Sequence, residues 1–270
     1  VATRRHAPRK RFGQHFLVDA AIVERIIGAI DPRRGDHVVE IGPGLGALTE
    51  PLLARLDHLH VIEIDRDLSA RLREHHAAEQ LTVHQADALE FDFAALPAPL
   101  RIVGNLPYNI STPLLFHAAA AASRCRDLHF MLQQEVVDRM VARPAESEYG
   151  RLSVMLQYRF RLERLFDVPP GSFRPQPKVH SAVVRLLPRP VEQLGAASEG
   201  GLSRVVARAF SMRRKTLRNT LSGLISAGEL AELGIDPGRR AQELPVAAFV
   251  TIANHLAAAG TGPHRQPLAK

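Results

Sequence analysis

Residues 38–49 read VVEIGPGLGALT, and the architecture turns on how these twelve residues are interpreted. Val38, Val39 and Ile41 make a short apolar run bounded by Asp36 and Gly42, the pattern of a buried strand. Gly42, Gly44 and Gly46 then allow backbone angles and close approaches that a Cβ would forbid. Ala47, Leu48 and Thr49 open a helix. A glycine turn at the carboxyl end of a strand is where open α/β sheets bind ligands. Dinucleotide folds usually show G-x-G-x-x-G. The spacing here is G-x-G-x-G, with Glu40 just before it.

Outward from this turn the chain alternates helix and strand from residue 19 to about 187. DAAIVERIIGAI has apolar residues at helical spacing, with Asp19 as its N-cap. ALTEPLLARL, RDLSARLREHH, STPLLFHAAAAA and QEVVDRMVA read as helices. HLHVIEID, LTVHQAD, LRIVGN and LHFMLQ read as strands between them. Repeated strand–helix units imply an α/β fold with a mostly parallel sheet covered on both faces. Two later runs, RLSVMLQYRFRLERLFDVP and HSAVVRLLP, break the rhythm and are expected to close the sheet as antiparallel strands. Residues 188–201, PRPVEQLGAASEGG, are rich in Pro, Gly and small residues and read as a link. The expected domains are therefore 1–187 and a helical 188–270.

The charge is unevenly placed. The net charge is +7 from 35 Lys and Arg against 28 Asp and Glu. Residues 1–18 hold five bases (Arg4, Arg5, Arg9, Lys10, Arg11) and no acid. Residues 200–228 hold six (Arg204, Arg208, Arg213, Arg214, Lys215, Arg218) and no acid. Acid-free basic patches suit a polyanion, because each neutralised phosphate releases counterions. Arg213, Arg214, Lys215 and Arg218 fall within six residues and are expected on overlapping faces of a helix, against phosphates. No apolar run reaches the roughly 18 residues of a membrane span. Cys125 is the only cysteine, which fits a reducing cytoplasm, and no histidine spacing suggests a metal site.

Two acids extend the argument from the glycine turn. Glu63 ends the second strand, where a carboxylate can accept from both hydroxyls of a ribose. Asp87 ends the third strand, where a carboxylate can accept from the exocyclic amine of a purine. Together they point to a bound adenosine moiety. NAD and S-adenosylmethionine both contain one, and the acids leave the two open. GNLPYNIS, residues 104–111, separates them. An adenine N6 amine is a poor nucleophile, since its lone pair is delocalised into the ring. A methyltransferase can accept hydrogen bonds from both N–H groups and turn the lone pair toward a sulfonium methyl. The Asn105 side-chain oxygen is one acceptor. The Leu106 carbonyl, held by Pro107, is the other. Tyr108 offers a ring on which the base stacks. Proximity and alignment supply most of the barrier reduction, and nothing in the stretch requires a metal.

RKRFGQHFL, EIGPGLGALT, VIEIDRDL, GNLPYNISTPLLF, FMLQQEVVDRM, YGRLSV and AFSMRRKTLRNTL together resemble the adenine dimethyltransferases of small-subunit ribosomal RNA, the KsgA family. The resemblance runs from about residue 9 to 257. It implies a Rossmann-like class I methyltransferase domain with a small helical domain, S-adenosylmethionine as methyl donor, and a monomer acting in the cytoplasm. It also implies dimethylation at N6 of two adjacent adenosines, in a hairpin loop near the 3′ end of 16S rRNA in the 30S subunit. Carried over by motif, His15 and Leu17 would line the cofactor pocket. Gly42 would contact the methionine part, Glu63 the ribose and Asp87 the adenine, and Asn105 both cofactor and target. Phe173, in GSFRPQPKVHSAVV, would be the second aromatic sandwiching the target base. His180 departs from the pattern, standing where relatives usually carry Asp. Two other readings stay open: a macrolide-resistance methyltransferase acting on 23S rRNA with the same core, and a non-catalytic assembly factor.

Overall fold

The computed structural model describes residues 15–260. The basic residues expected at 4–11 lie outside them. The chain forms two compact units. One runs through Val137 and takes up Phe160–Pro188; the other comprises Asp138–Arg159 and the chain from Arg189 onward.

The first unit opens with a two-residue strand β1 (Phe16–Leu17) and helix α1 (Ala20–Ile30). Asp19 caps α1, its carboxylate accepting from Ala21 N and Ile22 N, and Ile22, Ile26, Ile27 and Ile30 form the buried stripe. The parallel strands are β2 (His37–Ile41), β3 (Leu59–Glu63), β4 (Leu81–Gln85), β5 (Leu100–Asn105) and β6 (Cys125–Gln133). Between them run α2 (Thr49–Leu53), α3 (Arg66–His75) and α4 (Ser111–Ala120), and α5 (Gln134–Val141) follows β6. Next come α6 (Arg151–Arg159), β7 (Phe160–Val168), β8 (Phe173–Arg174) and β9 (Ser181–Pro188). The seven-stranded sheet has the order β4-β3-β2-β5-β6-β9-β7, with β9 antiparallel to both of its neighbours. The order reverses between β2 and β5, and the crevice at such a switch point is where a ligand site is expected.

Two features hold that switch point. At its lower end the buried Arg101 guanidinium makes a two-pronged pair with Asp127, both bonds 2.9 Å, and reaches Asp36 at 2.7 Å. This ties β5 to β6 and to the turn before β2. At its upper end a Cβ on Gly104 would lie 2.5 Å from the Ile41 carbonyl oxygen. Only glycine lets the end of β5 run this close to the point where the glycine turn leaves β2.

The run expected as strands over 151–169 divides. Phe160–Val168 is a strand, but Arg151–Arg159 is helical. Leu152, Ser153, Val154, Leu156 and Tyr158 are all buried, which is wider than one helix face. Their every-second-residue apolar pattern is therefore compatible with either element. The short pair β1–β8 sets Phe16 opposite Arg174 and Leu17 opposite Phe173, and two-residue strands carry no periodic sequence signal.

The second unit is helical, with α7 (Glu199–Ala209), α8 (Leu217–Thr220), α9 (Ala227–Glu232) and α10 (Val246–Gly260). Leu202, Val206, Leu217, Leu230 and Phe249 share one core with Tyr149, Val154 and Tyr158. Arg213, Arg214 and Lys215 lie on the turn between α7 and α8, not on a helix, and Arg218 lies in α8. All four are exposed. Among the described residues only Arg213 has a side-chain partner, the Ser147 carbonyl at 2.6 Å. Ser211, Met212 and the basic run after them stand at the helix end as an open turn, where helical face arguments do not apply. No helix among the described residues is long and apolar enough to cross a membrane.

Candidate methyl-transfer site

An open cavity lies at the carboxyl ends of β2, β3, β4 and β5. His15, Phe16 and Leu17 form one wall, and the glycine turn Gly42–Leu45 forms another. Glu63 and Ile64 lie at the end of β3, Ala86–Ala88 beyond β4, and Asn105–Tyr108 at the end of β5. His15, Leu17, Gly42, Glu63, Asp87, Asn105, Leu106 and Tyr108 thus come together on a single cavity.

Gly44 shapes the glycine turn. Its φ is +58°, and a Cβ there would sit 3.2 Å from the Phe16 ring. The positive φ favours glycine at 44, and a side chain there would press on the Phe16 ring. Its N–H donates to Glu63 Oε2 at 3.2 Å, and Asp65 N–H donates to Oε1 at 2.9 Å. Glu63 is 5% exposed. Burial raises its carboxyl above the usual range, while the backbone donors pull the other way. Each oxygen keeps a further lone pair for a ligand. Asp87, half-buried, accepts from Leu89 N at 2.9 Å through Oδ1.

At the end of β5, Leu106 N–H donates to the Met131 carbonyl at 3.1 Å, which fixes the segment against β6. Asn105 Nδ2 donates to the His15 carbonyl at 3.1 Å. One amide N–H is thereby used on the chain, and the amide oxygen is left as the group that can accept. Ser111 Oγ donates to the Pro107 carbonyl at 2.9 Å and closes the turn before α4. The Tyr108 ring stacks on the His15 ring at 5.5 Å, with planes 27° apart. Its hydroxyl lies 2.7 Å from Ser181 Oγ. Burial raises the Tyr108 phenol above its ordinary value, against the pull of the Ser181 bond.

Phe173 is not in the cavity wall. Its ring is fully buried in the core with Leu17, Val168 and Val183, because β8 pairs with β1 and turns this side chain inward. In this arrangement it offers no face to a base. His180 is exposed, and its carbonyl accepts from Gln134 N at 3.0 Å. That contact does not depend on which side chain stands at 180.

Glu40, Phe16 and Ile64 are among the wall residues whose sequence pattern assigns them no role. Glu40 is 2% exposed and accepts from Thr49 Oγ1 at 2.7 Å. Burial, with a smaller push from Glu63, drives its carboxyl up to about 8. An acid inside the apolar run VVEI was the visible signal. Ile64 is 46% exposed just past Glu63, an apolar residue left beyond the strand end beside the cavity.

Fold and site together define a class I methyltransferase of the Rossmann-like type. Among solved structures, a dimethyladenosine transferase from Plasmodium falciparum superimposes with a TM-score of 0.79 at 24% identity, covering 91% of this chain and 98% of that one. The 23S rRNA methyltransferase ErmE gives 0.68 at 26% identity, covering 90% and 99%. The chain belongs to the ribosomal RNA adenine dimethylase family, whose pattern it matches over residues 5–258. Its similar relatives include the ribosomal RNA small subunit methyltransferase A of Aromatoleum aromaticum, 64% identical over 94% of this chain and 96% of the relative. The enzyme of the same name from Dechloromonas aromatica is 62% identical over 93% and 98%.

Proposed function

We propose that this chain transfers methyl groups from S-adenosylmethionine to N6 of two adjacent adenosines in 16S rRNA, within the 30S subunit during its biogenesis. The observation that carries the reading is the placement of Asn105–Tyr108 on the same cavity as the glycine turn and Glu63. A donor site and an acceptor-base site thus share one wall. The small-subunit relatives, more than 60% identical over most of their length, support the choice of RNA.

The wall fits the proposed donor. The Gly42–Gly44 turn leaves room for its methionine part, with no Cβ at 44 to crowd the Phe16 wall. Glu63 holds the ribose hydroxyls, Asp87 the adenine amine, and His15 and Leu17 close the side. When bound, the donor supplies an electrophilic sulfonium methyl. The Asn105 amide oxygen and the Leu106 carbonyl accept the two N6–H groups of the target, and Tyr108 supports its ring. These acceptors would aim the N6 lone pair at that methyl, and one N6 proton would leave to water for each methyl gained. Repetition on the second N–H gives the dimethylated base. Arg213, Arg214, Lys215 and Arg218 meet rRNA phosphates and set the position of the substrate without reading bases. The enzyme works as a monomer in the cytoplasm.

The test is mass spectrometry of rRNA after incubation of the protein and S-adenosylmethionine with immature 30S and, separately, 50S material. N6,N6-dimethyladenosine in 16S rRNA is the expected product. Methylation of 23S rRNA alone would favour the ErmE-like reading, and no methylation of either would favour a non-catalytic factor.

A further inference from the structure

Tyr108 stands on the turn after β5, and two contacts settle its ring. His15 covers one face, and Ser181 holds the hydroxyl at 2.7 Å. Ser181 is fully buried at the first position of β9. It pairs across to Gln133, the last residue of β6, and to Val168, the last of β7. The residue before it is held through the His180 carbonyl by Gln134 N–H. Three strand ends therefore fix Ser181, while the turn carrying Tyr108 is tied to β6 two residues earlier, through Leu106 N–H to the Met131 carbonyl. The bond transfers the rigidity of the sheet to the ring.

The two methyl transfers make unequal demands on that ring. Unmodified adenine brings two N6–H donors to two acceptors, Asn105 and Leu106. After one transfer a single N–H remains. The orientation of the lone pair in the second step loses one hydrogen bond, and a larger share of it falls to the surface on which the base stacks. We propose that Ser181 is a positioning residue that acts through Tyr108 and weighs more heavily on the second methyl transfer than on the first. This rests on the reading of the site as an adenine N6 dimethyltransferase.

The experiment follows both products over time on immature 30S subunits, with the unaltered chain, Ser181→Ala, Tyr108→Phe and the double variant. Each substitution removes the same hydrogen bond from one end. Expected is a second-step rate lowered roughly two- to tenfold more than the first, the scale of one neutral hydrogen bond, so that N6-methyladenosine accumulates. The double variant should do no worse than either single one, which identifies the shared bond. S-adenosylmethionine affinity by calorimetry should be unchanged in Ser181→Ala. With the donor absent, hairpin RNA carrying N6-methyladenosine should lose more affinity than its unmodified counterpart. Should Ser181→Ala fail to fold, Tyr108→Phe carries the same comparison. Equal slowing of both steps, or an unchanged product ratio while the unaltered chain makes dimethyladenosine, overturns the inference. A lack of dimethyladenosine from the unaltered chain overturns the functional reading and the inference with it.

Discussion

Replacing Glu63 with Gln keeps the size of the side chain and removes its charge, and the structure says what each part is worth. In the protein alone, Oε1 and Oε2 each take one backbone N–H, from Asp65 and Gly44. A glutamine oxygen can serve one of these. Its NH₂ then faces the other donor, a loss of about 1–3 kcal/mol for a buried unsatisfied group. Against this, the carboxylate is 5% exposed and burial already raises its pKa, so removing the charge relieves a desolvation cost. The two effects oppose, and the melting temperature should move little. Ligand binding has no such offset. A ribose hydroxyl that lost its charged acceptor would forfeit about 1.5–3 kcal/mol. At about 1.4 kcal/mol per decade, that is a roughly 10- to 150-fold weaker Kd for S-adenosylmethionine. Titration calorimetry with S-adenosylmethionine and with S-adenosylhomocysteine measures it, since both carry the ribose. A second signature follows from the raised pKa. The carboxylate must be ionised to accept from both hydroxyls, so affinity should fall as the pH drops toward that raised value. The fall should vanish in Glu63→Gln. A variant that binds within twofold of the unaltered chain, with its pH dependence intact, would remove Glu63 from the ribose site.

Asn105→Ala should lower turnover by roughly two to three orders of magnitude, the cost of losing one pre-positioned transition-state partner, while RNA binding changes little; single-turnover methylation checks it. Changing Arg213, Arg214 and Lys215 together to Ala should reduce the slope of log K against log salt for 30S binding by roughly two to three units. Cofactor affinity should be unaffected by that triple change, and an unaltered slope would return the turn to plain solvated surface. Glu40 has its carboxyl at about 8 when folded against 4.5 for the free group, so the native state binds more protons across that window. Unfolding free energy should therefore fall as pH rises from about 5 to 8, and denaturant titrations of Glu40→Gln should show that slope flattened.

The glycine turn, the acids at the ends of β3 and β4, and the Asn105–Tyr108 segment were legible because each carries its chemistry in one contiguous stretch. A buried parallel strand announces itself as an apolar run, and the residue just past it is placed by the strand. Asp19 was legible for a similar reason, as a capping residue ahead of four isoleucines in helical phase. Arg151–Arg159 was not. Its apolar residues occupy every second position, yet a helix buried on more than one side tolerates that pattern as well as a strand does. The basic run at 213–215 was found through its lack of acids, but charge alone does not distinguish a helix face from the open turn on which it sits.

What the sequence hid was the part of the site made by pairing between distant segments. Two-residue strands such as β1 and β8 have no periodicity to read, and their partners lie 156 residues apart at Leu17 and Phe173. Phe173 sits in a polar, proline-rich loop, GSFRPQPK, where an aromatic residue suggests an exposed platform. Pairing with β1 turns it into the core instead. That burial has a consequence for the site. It fixes Leu17 and, two residues back, the His15 carbonyl that receives the Asn105 amide. The same short strip also sets the His15 ring against Tyr108. Two of the residues proposed for chemistry, Asn105 and Tyr108, are therefore oriented by a strip of chain anchored through Phe173.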